Sequence, residues 1–444
     1  MFDEILDGLK EEMIQALCES LCIRSDAQPP EAGKPNGEGV ARALAHALET
    51  AARLGFLTKE AEGQYGFAEY GQGEELIAVL GHLDVVPAGD GWSYPPFSGA
   101  IDNGKIFGRG ALDNKGPVFA ALYGLKAIMD SGVELPRRIR LIFGTCEETA
   151  NFSDMARYAA EEELPVAGFT PDSDFPVIYA EKGVLHVTFS QAFAQDAGED
   201  ADVVMESLAC GTVVNMVPDK AEATLRVNGH PVALQTRGVS AHGSRPGDGD
   251  NACFGMLALL SRQDLPVPMQ DAFSFLAHAL TEETSGANLG IAMRDEPSGP
   301  LTVNLGLLDA GPSYIRGRLD IRYPVTASKD EILSRLEESF AKGGFGIDAL
   351  NHMEPLYRPV DDSLVETLVR VFAETTGITH APIATGGGTY ARSMPNLLAF
   401  GPCFPGGAYA FHQPDENIAI DHLVQLSKIY ARAMYELAVK EGRS

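Results

Sequence analysis

Apolar positions open the chain at helical spacing: Ile5, Leu6, Leu9, Met13, Ile14, Leu17 and Leu21. One face of a helix collects such residues, so the pattern predicts an amphipathic helix. Residues 28–37 are rich in Pro and Gly and read as loop, and a second helix is expected from about Glu38 to Leu54, stopped by Gly55. Residues 76–80 and 139–143 are short apolar runs between turn residues, the pattern of buried strands. Between them, residues 116–129 are apolar over the length of a helix. Strand, helix and strand in alternation predict a parallel sheet with helices on its faces.

The texture changes near Glu181-Lys182-Gly183. Strand-like segments at 184–190, 221–227, 301–307 and 314–323 follow, with helices expected only at 251–260 and 330–342. This reads as an α+β insert. Amphipathic helices return at 363–376 and 422–440, separated by the run Thr385-Gly386-Gly387-Gly388-Thr389. The expected organisation is a first catalytic segment (1–183), an inserted domain (184–354) and a second catalytic segment (355–444). No internal repeat or low-complexity segment is evident.

Length supports more than one core, since 444 residues exceed an ordinary single domain. Apolar residues at 45% and charged residues at 22% fit a globular chain. Acidic side chains outnumber basic ones 62 to 34, a net charge of −28, which disfavours nucleic acid and anionic membranes as partners. The N-terminus has neither the basic nor the apolar region of a signal peptide, and no apolar stretch spans a bilayer, so a cytoplasmic location is expected. The six cysteines are scattered without a Cys-x-x-Cys pair and are expected to be reduced thiols.

Chemistry concentrates where strands give way to loops. His82-x-Asp84 follows the run 76–80, and Glu147-Glu148 follows 139–143. In an open parallel sheet both would face the same rim, where ligands gather. Asp113, Asp172 and His412 complete an ordered set of His and carboxylate positions suited to Zn²⁺, and also to Mn²⁺ or Co²⁺. Adjacent side chains in an extended loop diverge, so one of Glu147-Glu148 can bind metal while the other faces a water as general base. Each member also has a structural alternative: Asp113 as a helix N-cap, Asp172 as a turn residue, His412 as a helix-flanking residue, and the Glu pair as a solvated loop.

The motifs His82-x-Asp84, Gly110-Ala111-Leu112-Asp113-Asn114-Lys115-Gly116, Glu147-Glu148, Pro171-Asp172 and His412 together resemble the signature of a di-metal metallopeptidase family. That family includes aminoacylases, carnosinases, acetylornithine deacetylase, succinyl-diaminopimelate desuccinylase and bacterial dipeptidase V. Gly168-Phe169-Thr170-Pro171-Asp172, Asn215-Met216-Val217-Pro218, Asp320-Ile321-Arg322-Tyr323-Pro324 and Gly386-Gly387-Gly388-Thr389-Tyr390-Ala391-Arg392 resemble the dipeptidase V branch.

The resemblance implies a three-layer α/β/α hydrolase domain with a mixed, mainly parallel sheet, and an inserted ferredoxin-like lid. It implies two ions bridged by Asp113, with His82 and Asp172 at one and Glu148 and His412 at the other. Glu147 would be the general base, Asp84 would accept the other ring N–H of His82, and the Asp113-Asn114 peptide would be cis. From the insert, His242 and Asn215 would stabilise the oxyanion, and Arg322 with the main chain of Gly386–Gly388 would clamp a substrate carboxylate. An insert of roughly 170 residues, longer than a small module, implies a monomer acting on dipeptides. The rival readings are an N-acyl-amino-acid deacylase using the same metals, and a binding protein that has lost its chemistry; the latter predicts a broken catalytic position, and none is broken here.

Overall fold

The strand Leu76–His82 is buried along its whole length and anchors a mixed sheet. It pairs in parallel with Arg138–Gly144 on one side and with Ala167–Thr170 on the other. Parallel pairing continues to Leu397–Ala399, whereas the hairpin Leu57–Ala61 and Tyr65–Tyr70 joins the other flank in antiparallel fashion. The sheet is thus parallel at its centre and antiparallel towards its edges. A strand buried on both faces needs no alternation, which is why Leu76-Ile77-Ala78-Val79-Leu80 reads as a continuous apolar run.

Two glycines show how the layers close on this sheet. A Cβ at Gly81 would fall 2.4 Å from Val118 of the helix Lys115–Asp130. On the opposite face, a Cβ at Gly144 would fall 2.2 Å from the Tyr390 hydroxyl. Helices Asp3–Leu21 and Ile420–Val439 pack against Lys115–Asp130, which explains why that helix is buried nearly all round rather than along a stripe. The sheet therefore lies between two layers.

The computed structural model describes residues 2–149, 152–194, 201–281 and 283–439. These fall into two units, one drawing on 2–179, 358–383 and 389–439, the other on 180–357 and 384–388. The glycine run expected in the last catalytic segment therefore belongs with the second unit. That unit is a seven-stranded antiparallel sheet, wider than the four strands of a ferredoxin-like motif. Its strand Gly183–Ala192 alternates as a one-sided strand must: Leu185, Val187 and Phe189 are fully buried, and Phe189 stacks on Phe340 of the helix Lys329–Lys342 at 4.6 Å.

Most predicted elements appear within a few residues of their expected ends. The helix Val267–Ala279 was not expected. It starts at Pro266-Val267-Pro268, which reads as extended chain, yet proline is tolerated in a first helical turn. The strands His230–Arg237 and Gly346–Met353 lie at the two edges of their sheet and are largely exposed, so no apolar alternation marks them. Among the described residues, no helix is long and apolar enough to cross a membrane.

The expectation of six reduced cysteines is corrected. Cys210 and Cys253 form a disulfide, while Cys18, Cys22, Cys146 and Cys403 are free. The pair joins the end of the strand Val203–Cys210 to the first turn of the helix Ala252–Leu260, with Cα atoms 6.0 Å apart. They stand 43 positions apart in the chain, so no local spacing signals the bond. Closing such a loop restrains the unfolded chain, and the double variant Cys210→Ala/Cys253→Ala should lose about 2–4 kcal/mol in urea unfolding. Peptide mapping after alkylation without reductant should recover the two segments linked.

Candidate metal centre

Three parallel strands deliver the site to one rim. His82 is the last residue of its strand and stands opposite Gly144, three residues before Glu147. Asp172 lies two residues past Ala167–Thr170, and Asp113 precedes the helix Lys115–Asp130. The N-cap of that helix is Asn114, without a side-chain cap bond, so Asp113 is not its cap. The carboxylate of Asp113 turns to two histidines instead.

Two groups of potential ligands share this one residue: His82, Asp113 and Asp172, and Asp113, Glu148 and His412. His82 Nε2 lies 3.1 Å from Asp113 Oδ1 and 3.7 Å from Asp172 Oδ1. His412 Nε2 lies 3.1 Å from Asp113 Oδ2 and 3.3 Å from Glu148 Oε2. Each oxygen of Asp113 thus faces a different group. Ligands bound tetrahedrally at ordinary Zn–N and Zn–O lengths sit roughly 3.3 Å apart, and the observed separations match that edge. Glu148 Oε1 is buried without a hydrogen-bond partner, as expected of an atom reserved for a cation. The residues fit two divalent ions.

The electrostatics agree. Burial pushes Glu148 up to about 7, helped by Asp113, and burial with the Asp113 charge pushes Asp172 up to about 6. Glu147 is raised well above the carboxylate range by burial and by Asp172. Burial alone would raise Asp113, but His412 and His82 more than compensate and hold it well below its ordinary value. His412 is carried up to about 10 by Asp113 and Glu148. For His82, burial opposes the proton and the surrounding Asp113, Asp172 and Asp84 overcome it. In metal-free protein His82, Glu147, Glu148 and His412 thus favour holding protons, and Asp113 among them keeps its charge.

Surrounding groups fix the ligands. His82 Nδ1 is 3.0 Å from the main-chain carbonyl of Asp84 and 3.4 Å from its carboxylate. Both the carbonyl and the carboxylate of Asp84 thus lie beside this ring nitrogen, the carbonyl nearer. The carboxylate also accepts the main-chain N–H groups of Glu147 (3.2 Å) and Glu148 (3.0 Å), because that loop turns back over it. The Asp113-Asn114 peptide is cis, and Asn114 Nδ2 donates to Pro171 O at 2.6 Å and Asp172 Oδ1 at 3.3 Å. Buried Asp154 accepts the N–H of Thr145 at 2.7 Å, the N–H of Cys146 at 3.2 Å and the hydroxyl of Tyr390, securing the base of the Glu147-Glu148 loop. Sequence reasoning missed Asp154, Asn114 and Glu416, whose carboxylate accepts the N–H of Asp113 at 3.1 Å. The only signal was their nearness to ligands: Asn114 adjoins Asp113, and Glu416 follows His412 by four residues.

The remaining expected residues gather within the second unit. Gly243 N–H donates to Asn215 O at 2.7 Å and Val217 N–H to Ala241 O at 2.8 Å, so the segments bearing Asn215 and His242 run as a short antiparallel ladder. Ser244 N–H donates to His242 Nδ1 at 3.2 Å. A main-chain N–H can only donate, so Nδ1 accepts and the neutral ring carries its proton on Nε2. Arg322 is buried, and its Nε and Nη2 grip Asp320 at 2.7 and 3.0 Å while Nη1 donates to Gly386 O at 3.0 Å. Its fork is therefore largely committed to this pair and to the glycine run. Gly387 N–H donates to Thr385 Oγ1 at 3.1 Å.

A profile of Peptidase family M20/M25/M40 matches residues 78–436, most of the chain. The chain belongs to that family. As an M20 peptidase it is a metal-dependent hydrolase of peptide bonds. It is 37% identical over 461 residues to "Putative dipeptidase YtjP" of Bacillus subtilis (strain 168), covering 97% of this chain and 98% of that one. Human carnosine dipeptidase 1 shares its fold at a TM-score of 0.59 and 17% identity, over 98% of each chain. The Bacillus subtilis YXEP protein, described as a dinuclear metal-binding M20 peptidase, aligns at a TM-score of 0.56 and 12% identity, over 97% of this chain and 99% of that one.

The protonation pattern of this M20 centre predicts an unusual pH response. In metal-free protein, Glu148 at about 7 against an ordinary 4.5 keeps a proton the unfolded chain has lost. His412 at about 10 against 6.5 does the same at higher pH. Between about pH 4.5 and 10 these two groups make the folded state bind more protons than the unfolded one, so their contribution to stability falls as pH rises. Saturating Zn²⁺ should reverse the slope, because its ligands must be deprotonated. Thermal melts across that window, with and without Zn²⁺, check both signs.

Proposed function

We propose that this M20 peptidase is a dipeptidase that cuts the single amide bond of short unblocked peptides at two divalent ions, Zn²⁺ first among them. The observation that carries the reading is Asp113, with one carboxylate oxygen facing each ligand group. Likeness to a dipeptidase-named relative over nearly the whole of both chains supports the substrate class.

When bound, the ions supply polarisation of the scissile carbonyl and a water acidic enough to lose a proton near neutral pH. Glu147 takes that proton and returns it to the leaving amine. Burial and the neighbouring Asp172 raise its proton affinity, which favours taking that proton. His242 donates from Nε2 to the oxygen on which charge develops, and Asn215 assists it. The substrate carboxylate is received by Arg322 and the run Gly386–Gly388.

The test is hydrolysis of Leu-Gly, β-Ala-His and N-acetyl-ornithine by chelator-stripped protein titrated with Zn²⁺, Mn²⁺ or Co²⁺. Turnover of the dipeptides should return at two ions per chain; turnover of N-acetyl-ornithine alone would instead establish a deacylase. Glu147→Gln should still take up two ions yet lose about 10²–10⁴ in kcat. His242→Ala should lose about 10²–10³.

A further inference from the structure

Asp113 and His412 reach the same centre from segments 299 residues apart, and neither segment has regular structure at the ligand itself. His412 has φ of 56° and Gly110, three residues before Asp113, has φ of +91°. Such backbones do not hold themselves in place.

One side chain ties the two segments together. Glu416 is fully buried, and its Oε1 accepts main-chain N–H groups from Gly110 at 3.1 Å, Leu112 at 2.9 Å and Asp113 at 3.1 Å. Its Oε2 accepts Arg109 Nη1 at 2.6 Å. Arg109, also buried, passes the restraint on: Nη1 donates to Gln413 O at 3.3 Å and Nη2 to Ala88 O at 3.2 Å. The loop after His82-Leu83-Asp84, the loop before Asp113 and the loop after His412 therefore meet at one ion pair.

We propose that Glu416, held by Arg109, is the positioning residue for both metal subsites: it aims the Asp113 carboxylate so that each oxygen serves one ion. It touches neither substrate nor ion. The contact to the N–H of Asp113 itself distinguishes this role from general support of the fold, because that bond orients the residue shared by the two groups. The inference rests on the two-metal reading above and extends it to what sets the affinity.

The experiment is Zn²⁺ titration of stripped protein against a chromophoric chelator, for wild type, Glu416→Gln and Arg109→Lys, with melts of the stripped proteins and kcat and KM at saturating Zn²⁺. Outer partners of metal ligands are commonly worth 10–100-fold in affinity, so both variants should bind Zn²⁺ about 10–100-fold more weakly. The loss should appear at both sites at once, because Asp113 is common to them. KM should change little, and excess Zn²⁺ should restore part of kcat. Unchanged Zn²⁺ affinity alongside a lowered Tm would reduce Glu416 to a packing residue and overturn the proposal. If Glu416→Gln does not fold, Arg109→Lys decides by the same affinity criterion. A wild type that binds no second ion would overturn the two-metal reading itself, a result visible before any variant is measured.

Discussion

Everything at this centre depends on packing carboxylates where water is scarce. Asp113, Glu148 and Asp172 have side chains only 10–13% exposed, with Glu147 and Asp84 beside them. Two like charges at 4 Å repel by about 4 kcal/mol even at the moderate screening of a protein surface. The protein can relieve that repulsion by protonating carboxylates, by placing histidines among them, or by binding cations. The first two operate in the metal-free chain, as the raised Glu148 and Asp172 and the charged His412 show. The third removes the need for both, and the stored unfavourable charge becomes affinity for a divalent ion.

Behind these residues lies a further set of buried carboxylates that bind the main chain of the loops. Asp84 takes two main-chain N–H groups of the Glu147-Glu148 loop, Glu416 takes three from the Asp113 loop, and Asp154 takes those of Thr145 and Cys146. Burial still outweighs these donors at Glu416 and Asp154, whose carboxyl groups are raised above their ordinary values, so the bonds hold the loops more than they hold the charge. The same bonds fix the loops that follow each strand, which have no ladder of their own beyond the sheet rim. Acidic residues thus occupy two roles here, with those behind the loops holding those in front.

The division between these roles explains what was legible in the sequence. Strand Leu76–His82 and helix Lys115–Asp130 could be read because their burial imposes long apolar runs. The two candidate ligand groups could be read because the types and order of such residues are constrained by coordination chemistry. Glu416 and Asp154 could not, since a buried carboxylate that accepts N–H groups looks, in one dimension, like any surface acid. The two N–H groups that the Asp84 carboxylate accepts could not be read either, since the turn of the Glu147-Glu148 loop, and not the His-x-Asp spacing, brings them to it. The Cys210–Cys253 bond likewise depends on tertiary neighbours, far apart along the chain.

The second unit follows the same logic with a cation inside. Arg322 sits on the strand Tyr314–Tyr323 two residues from Asp320, on the same side of the pleat, so the pair can form within one strand. Asp320 is held low by Arg322 and His186, which outweigh its burial. The remaining Arg322 donor reaches Gly386 O and so fixes the glycine run to this unit, although the run lies more than sixty residues further along the chain. A Cβ at Gly243 would fall 2.4 Å from Asp320 Oδ2, so the His242 loop closes directly on the same carboxylate. One buried ion pair therefore sets the placement of both the histidine loop and the glycine loop. Losing its charge balance would disturb both together, which makes Arg322 a support for the two loops.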